Sequence, residues 1–130
     1  MKLSVNAQLT KAEEQIMQVL WQLGEGTVHD IREQLTEPKP ARTTVATVLT
    51  ILENKSFTSR TVNNRINLYT PLVSKEDYSK SQLSGLLKNY FNNSFASMAS
   101  FFAKENNYSI EELDLMIKDT RDELDKNKPK

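Results

Sequence analysis

Apolar residues recur with helical spacing over most of the chain and alternate with strand spacing over one short stretch. Ile16, Leu20 and Leu23, with Val19 beside them, mark a first helix. It opens on a capping box, Thr10 at the N-cap and Glu13 three residues on, and ends at Gly24 and Gly26. Trp21 is read as a core residue. A second, short helix starts at Thr27 with Asp30 in the capping position. Val28, Ile31 and Leu35 face inward and His29 outward. Pro38 and Pro40 forbid its continuation. A third helix is predicted over 41–55, with Val45, Val48, Leu49 and Leu52 as its buried stripe.

The opposite side of this third helix is unusual. Thr43, Thr47, Thr50 and Asn54 point away from the stripe, flanked by Thr44 and Ala46. The face is neutral, small and free of acids. Threonine is a poor helix former, and an ordinary solvent face would carry Glu and Lys instead. Such a face suits close approach to another surface.

The strand-like stretch predicts a hairpin of 57–62 and 65–70 around Asn63-Asn64, since asparagine tolerates the positive φ of a two-residue turn. That register pairs Val62 with Arg65 and Arg60 with Asn67. Phe57, Ile66 and Leu68 then share one face, and Arg60 and Arg65 the other with Tyr69 at its base. Pro71 stops the strand. Beyond it, one long helix is predicted over 75–105. Leu83, Leu87, Tyr90, Ser94, Met98 and Phe101 are spaced 4, 3, 4, 4 and 3. Leu86, Phe91, Phe95 and Phe102 widen that stripe. A last helix starts after Ser109, with Glu112 three on and Ile110, Leu113, Ile117 and Leu124 as its apolar side. Asp119, Asp122, Glu123 and Asp125 make its outer face acidic, and the tail 126–130 is expected to fray.

Composition narrows the chemistry. The 130 residues include 17 basic and 17 acidic side chains, one histidine and no cysteine. Disulfides, thiolate zinc sites, iron–sulfur ligation and cysteine nucleophiles are thereby excluded. One histidine gives no two-histidine metal site and argues against an acid–base enzyme. No cofactor and no metal is expected. Residues 1–8 hold no apolar run, and the most apolar stretch, 95–103, is too short to span a bilayer. A soluble, cytoplasmic protein is expected. Charge is uneven: residues 1–37 carry −3, residues 38–73 carry +4 and residues 74–130 carry −1. The positive stretch comprises Lys39, Arg42, Lys55, Arg60 and Arg65 against the single acid Glu53.

Three short helices followed by a hairpin is the order of a winged helix–turn–helix. The expected fold class is mainly α, an α+β winged helix followed by dimerisation helices, with domains at 1–73 and 74–130. The major groove admits one helix, and small side chains on it approach base edges. Double-stranded DNA is therefore the expected partner. Thr43, Thr44, Ala46, Thr47 and Thr50 are the candidate base-facing residues. Arg60 and Arg65 on the hairpin can reach phosphate or the minor groove. Lys39 and Arg42 lie at the N-terminal end of the third helix, where backbone N–H groups also favour phosphate. Broad apolar stripes on the last helices cannot be buried by those helices alone. A homodimer on a palindromic operator solves both problems. Its expected interface is Leu83, Leu86, Leu87, Tyr90, Phe91, Met98, Phe101, Leu113 and Ile117. The rival reading is a helical protein-interaction module, an adaptor or antirepressor that keeps the fold without DNA.

The segments "LTKAEEQIMQVLWQLGEGTVHDI", "TTVATVLTILENK" and the "R…NLYTP" of residues 65–71 together carry a resemblance. The chain resembles the BlaI/MecI family of bacterial penicillinase and methicillin-resistance repressors over nearly its whole length. The resemblance implies a dimeric winged-helix repressor on a palindromic operator. It places base contacts at Thr43, Thr44, Ala46 and Thr47 and backbone contacts on the wing. It also implies derepression through a membrane metallopeptidase sensor and cleavage within the dimerisation helices, here around Phe101 and Phe102. Three departures stand out. No asparagine precedes Phe101, where the family is cut at an Asn-Phe bond. The cysteine motif of the copper-responsive branch is missing. Ile51 stands where an arginine is common on the recognition helix.

Overall fold

The computed structural model describes residues 8–127. The expectation that residues 1–8 form no signal peptide falls, for 1–7, outside the described residues, as does the expected fraying of 126–130 for residues 128–130; Lys126 is still helical. Helix α1 (Lys11–Leu23) begins as the sequence predicts: Thr10 Oγ1 accepts the Glu13 N–H, and the Glu13 carboxylate accepts the Thr10 N–H. Gly24, at φ 85°, closes it. Helix α2 (Val28–Glu33) has a second capping box, Thr27 with Asp30. Hydrogen bonds from the Thr27 backbone and hydroxyl hold the Asp30 carboxyl below its usual pKa. Helix α3 (Arg42–Asn54) follows the two prolines.

Ile16, Met17, Leu20, Ile31, Val45, Leu49 and Leu52 form the centre of the first core. Each such side chain contributes roughly 1.5–3 kcal/mol when fully buried. Val28, Leu35 and Val48 pack on its edge. Leu23, expected in the α1 stripe, is instead exposed at the helix end. Trp21 is only half-buried, and its indole Nε1 donates to the Val73 carbonyl at 2.8 Å.

Strands β1 (Thr58–Asn63) and β2 (Ile66–Pro71) form the antiparallel hairpin, with each partner shifted by two residues, and the turn by one, from the predicted register. Arg60 pairs with Tyr69, and Val62 with Asn67. The turn is Asn64-Arg65, at φ 51° and 66°, not Asn63-Asn64. Its base explains the shift. Tyr69 and Gly26 exchange backbone hydrogen bonds, and Leu72 N–H donates to the Phe57 carbonyl at 2.8 Å. With the base fixed there, Asn64 and Arg65 are left at the tip. Phe57 itself lies one residue before β1 and is buried. Ser56, at a positive φ of 65°, precedes it, and Phe57 joins the core, whereas Ile66 is 55% exposed.

The predicted long helix is two. Helix α4 (Lys75–Phe91) stops at Asn92 and Asn93, both left-handed, at φ 52° and 60°. Asn93 N–H reaches back to the Leu87 carbonyl, satisfying an end-of-helix acceptor. Ser94 then caps α5 (Phe95–Glu105). Two asparagines that tolerate the left-handed region and a good N-cap outweigh the continuous apolar spacing. Helix α6 (Ile110–Lys126) starts with the expected Ser109–Glu112 capping box.

The chain divides into two compact units, 1–83 and 84–130. The sheet ends near the expected 73/74 division, but the first unit extends into α4. Tyr78 is the reason: its ring is buried against Trp21 and Phe57, with centroids 5.7 and 5.8 Å away, and its hydroxyl accepts the Leu9 N–H. Burial raises the pKa of that hydroxyl. In the second unit no side chain of α5 or α6 is fully buried.

Candidate nucleic-acid interface

The small, acid-free face predicted for α3 is at the surface. Thr43, Thr44, Thr47 and Thr50 are exposed, and Ala46 is half-buried between them. The hydroxyls of Thr47 and Thr50 donate back to the carbonyls of Thr43 and Ala46, at 2.9 and 3.1 Å. In that arrangement each presents an acceptor oxygen and a methyl outward. An acceptor suits the amino groups of adenine or cytosine, and a methyl suits the thymine methyl. Ile51 is also exposed on this helix.

The candidate cations separate into two kinds. Arg42, at the first position of α3, and Arg65, at the hairpin tip, are exposed and form no ion pair among the described residues. The α3 N-cap Ala41 has no side-chain hydrogen bond, so the orphan N–H groups there add to the anion preference beside Arg42. Lys39 is engaged: its Nζ donates to the Glu33 carbonyl at 2.9 Å and lies 3.9 Å from the Glu33 carboxylate. Arg60 lies 3.7 Å from Glu53 on α3, an exposed pair of small energetic consequence. Arg60 and Arg65 therefore do not form one strand face, because Arg65 sits in the turn.

The sequence reading missed a contact behind the interface. Lys55 Nζ donates to Glu13 Oε1 at 2.8 Å, joining the end of α3 to the start of α1. Glu13 is 4% exposed. Burial works to raise its pKa, but the Lys55 ammonium and the Thr10 N–H and hydroxyl outweigh it and hold the carboxyl below its usual value. An acid at a helical position otherwise filled by apolar neighbours, and a lysine at the end of α3, were the available signals.

In the second unit, Leu86, Phe91, Met98, Phe101, Leu113 and Ile117 line one apolar concavity of about 670 Å³, together with Phe95 and Phe102. Leu83, Leu87 and Tyr90 do not line it. Phe91 and Phe101 pack ring to ring at 5.6 Å. Tyr90, Phe95 and Ile110 are largely exposed. Among the described residues, no helix is long and apolar enough to cross a membrane.

The chain is similar to several known proteins. The penicillinase repressor family profile matches residues 9–121. A penicillinase repressor of Bacillus licheniformis is 24% identical over 107 residues, covering 82% of this chain and 84% of that protein. Among solved structures, monomeric B. licheniformis BlaI in complex with the blaP half-operator is 25% identical. It aligns with a TM-score of 0.47 over 55% of this chain and 89% of that one. Reduced MarR from E. coli is 15% identical, with a TM-score of 0.47 over 89% and 78% of the two chains. ZitR of Lactococcus lactis is also 15% identical, with a TM-score of 0.47 over 95% and 78%.

Proposed function

The chain belongs to the penicillinase repressor family, and we propose that it represses as a cytoplasmic homodimer, bound to a palindromic operator through the threonine face of α3. It is a DNA-binding transcriptional repressor and not an enzyme. The observation that carries the base-reading assignment is the acid-free, exposed threonine surface on α3, with the guanidiniums of Arg42 and Arg65, which form no ion pair among the described residues, at its N-terminal end and at the hairpin tip.

Each part has a role. Thr43, Thr44, Ala46, Thr47 and Thr50 meet base edges in the major groove. Arg42 and Arg65 hold phosphates, and Arg60 joins them when it leaves Glu53. The second unit supplies the two-fold partner surface. Its support is the apolar concavity and the exposed aromatic residues around it, which a single copy leaves in water. Following the family resemblance, release runs through a membrane metallopeptidase sensor that leads to cutting near Phe101 and Phe102. Both side chains are more than half exposed on α5.

The test is enrichment of duplexes from a random pool by the full chain, followed by sedimentation of the complex. The expected result is a two-fold symmetric sequence bound by two chains, with affinity falling steeply as salt rises. Enrichment of no sequence, or of an asymmetric one bound by a single chain, would overturn the reading. Retention of a helical partner instead of DNA would favour the interaction-module alternative.

A further inference from the structure

Thr43, Thr44, Thr47 and Thr50 are short side chains. They cannot flex toward a misplaced base edge as arginine or lysine can, so the position of α3 decides what they reach. Val45, Leu49 and Leu52 hold the helix on the core. Apolar contact is non-directional, however, whereas hydrogen bonds at the helix ends fix its position along and about its axis by their geometry.

Directional contacts occur at both ends of α3. Before its first turn, Arg32 Nε donates to the Pro40 carbonyl at 2.7 Å, one residue ahead of the uncapped N-cap Ala41. At its last turn, the C-cap residue Lys55 donates to Glu13 Oε1 at 2.8 Å. That same oxygen accepts the Thr10 N–H at 2.9 Å, so the acceptor is itself fixed in the first turn of α1. Glu13 is almost wholly buried. If Lys55 turned to a phosphate it would strand an unpaired carboxylate in the core, which is costly. Charge counting alone would place Lys55, in the positive stretch 38–73, among the phosphate ligands.

We propose that Arg32 and Lys55 are positioning residues. They pin the two ends of the recognition helix, and they set discrimination between DNA sequences and not the strength of phosphate binding. This deepens, and rests on, the assignment of α3 as the base-reading helix.

The experiment uses the full chain, the duplex it enriches from a random pool, and a scrambled duplex of equal length and composition. Three quantities are measured for each variant: the ratio of the two dissociation constants, the slope of log affinity against log salt, and the melting temperature. Lys55→Gln and Arg32→Gln are each expected to cut the ratio about tenfold, the scale of one lost base-pair preference. Neither changes the scrambled-duplex affinity or the salt slope. Lys55→Arg, which keeps a cationic donor, restores most of the ratio. The double variant Glu13→Gln/Lys55→Gln discriminates no worse than Lys55→Gln alone, because both changes break one contact. Arg42→Gln and Arg65→Gln behave differently: each weakens both duplexes alike and lowers the slope by about 1.

Lys55→Gln leaves the Thr10–Glu13 capping box intact, so the test does not depend on Glu13 variants folding. A slope lowered by about 1 in Lys55→Gln would identify a phosphate ligand and overturn the proposal. So would an unchanged ratio accompanied by a lower melting temperature, the mark of a purely stabilising contact. A wild-type chain without discrimination overturns the base-reading assignment, and the pins with it; unchanged ratios in the variants overturn the pins alone.

Discussion

Gly26 and Tyr69 exchange two backbone hydrogen bonds, the N–H of each donating to the carbonyl of the other at 3.0 and 2.8 Å. The loop between α1 and α2 thus adds a bridge to the hairpin and fixes the base of the wing beside the core. A Cβ on Gly26 would lie 3.4 Å from both Asp30 Cβ and Leu23 Cδ1. Alanine fits there with ordinary contact, but a branched side chain does not. Gly26→Val is expected to destabilise the first unit by about 1–3 kcal/mol, the usual cost of overpacking. Thermal melting of Gly26→Ala and Gly26→Val, compared with wild type, checks this; equal melting points for the two would contradict it.

Trp21 ties α1 to the chain entering α4. Its indole donates to the Val73 carbonyl, and its ring meets Tyr78. Trp21→Phe keeps an aromatic ring but strands that carbonyl. A loss of about 0.5–1.5 kcal/mol in denaturant unfolding is expected. Wild-type stability in this variant would show that the hydrogen bond contributes nothing.

Glu13 makes stability depend on pH. Its carboxyl lies below the usual 4.5 in the folded chain, held there by Lys55 and Thr10 against the opposing effect of burial. A depressed folded value means that the stabilisation is fully present above 4.5 and is lost as pH falls through the folded value. The melting temperature of wild type should therefore fall, as pH drops below 4.5, more steeply than that of Glu13→Gln. Parallel curves for the two proteins would remove Glu13 from the acid transition.

The apolar concavity of the second unit predicts its own failure when charged. Ile117 lines it and is 47% exposed, so an aspartate there is tolerated by a lone chain but not in a sealed apolar interface. Ile117→Asp is expected to sediment as a monomer where wild type is a dimer, and to bind the enriched palindrome at least tenfold more weakly. An unchanged sedimentation coefficient would place the interface elsewhere.

Much of this architecture was legible in the sequence, because its signals are local. Thr10 with Glu13, Thr27 with Asp30, and Ser109 with Glu112 announce three helix starts through side-chain chemistry that acts within one turn. The buried stripe of α3 follows from periodicity, and the threonine face is its complement. The errors arise where a distant contact decides. Asn63-Asn64 and Asn64-Arg65 are both plausible turns on local grounds, and the choice between them rests on Gly26, forty-three residues from Tyr69. The break at Asn92-Asn93 was visible in residue type but hidden beneath an apolar spacing that runs through it. Likewise, charge identified Lys39, Lys55 and Arg60 as cations, but only geometry showed that Lys39 and Lys55 each donate to an acceptor and that Arg60 is ion-paired with Glu53.

Base reading by α3 is the central claim, and Thr47 tests it most directly. Its hydroxyl donates to the Thr43 carbonyl and its side chain is exposed. Thr47→Ala improves helix propensity, so lost binding cannot be ascribed to a weakened helix. The measurement is competition of single-base variants of the enriched palindrome, with wild type and with Thr47→Ala. The account predicts that one position in each half-site loses its preference, by about fivefold, while the rest keep theirs. The same ranking of variants for both proteins, at every position, would contradict it.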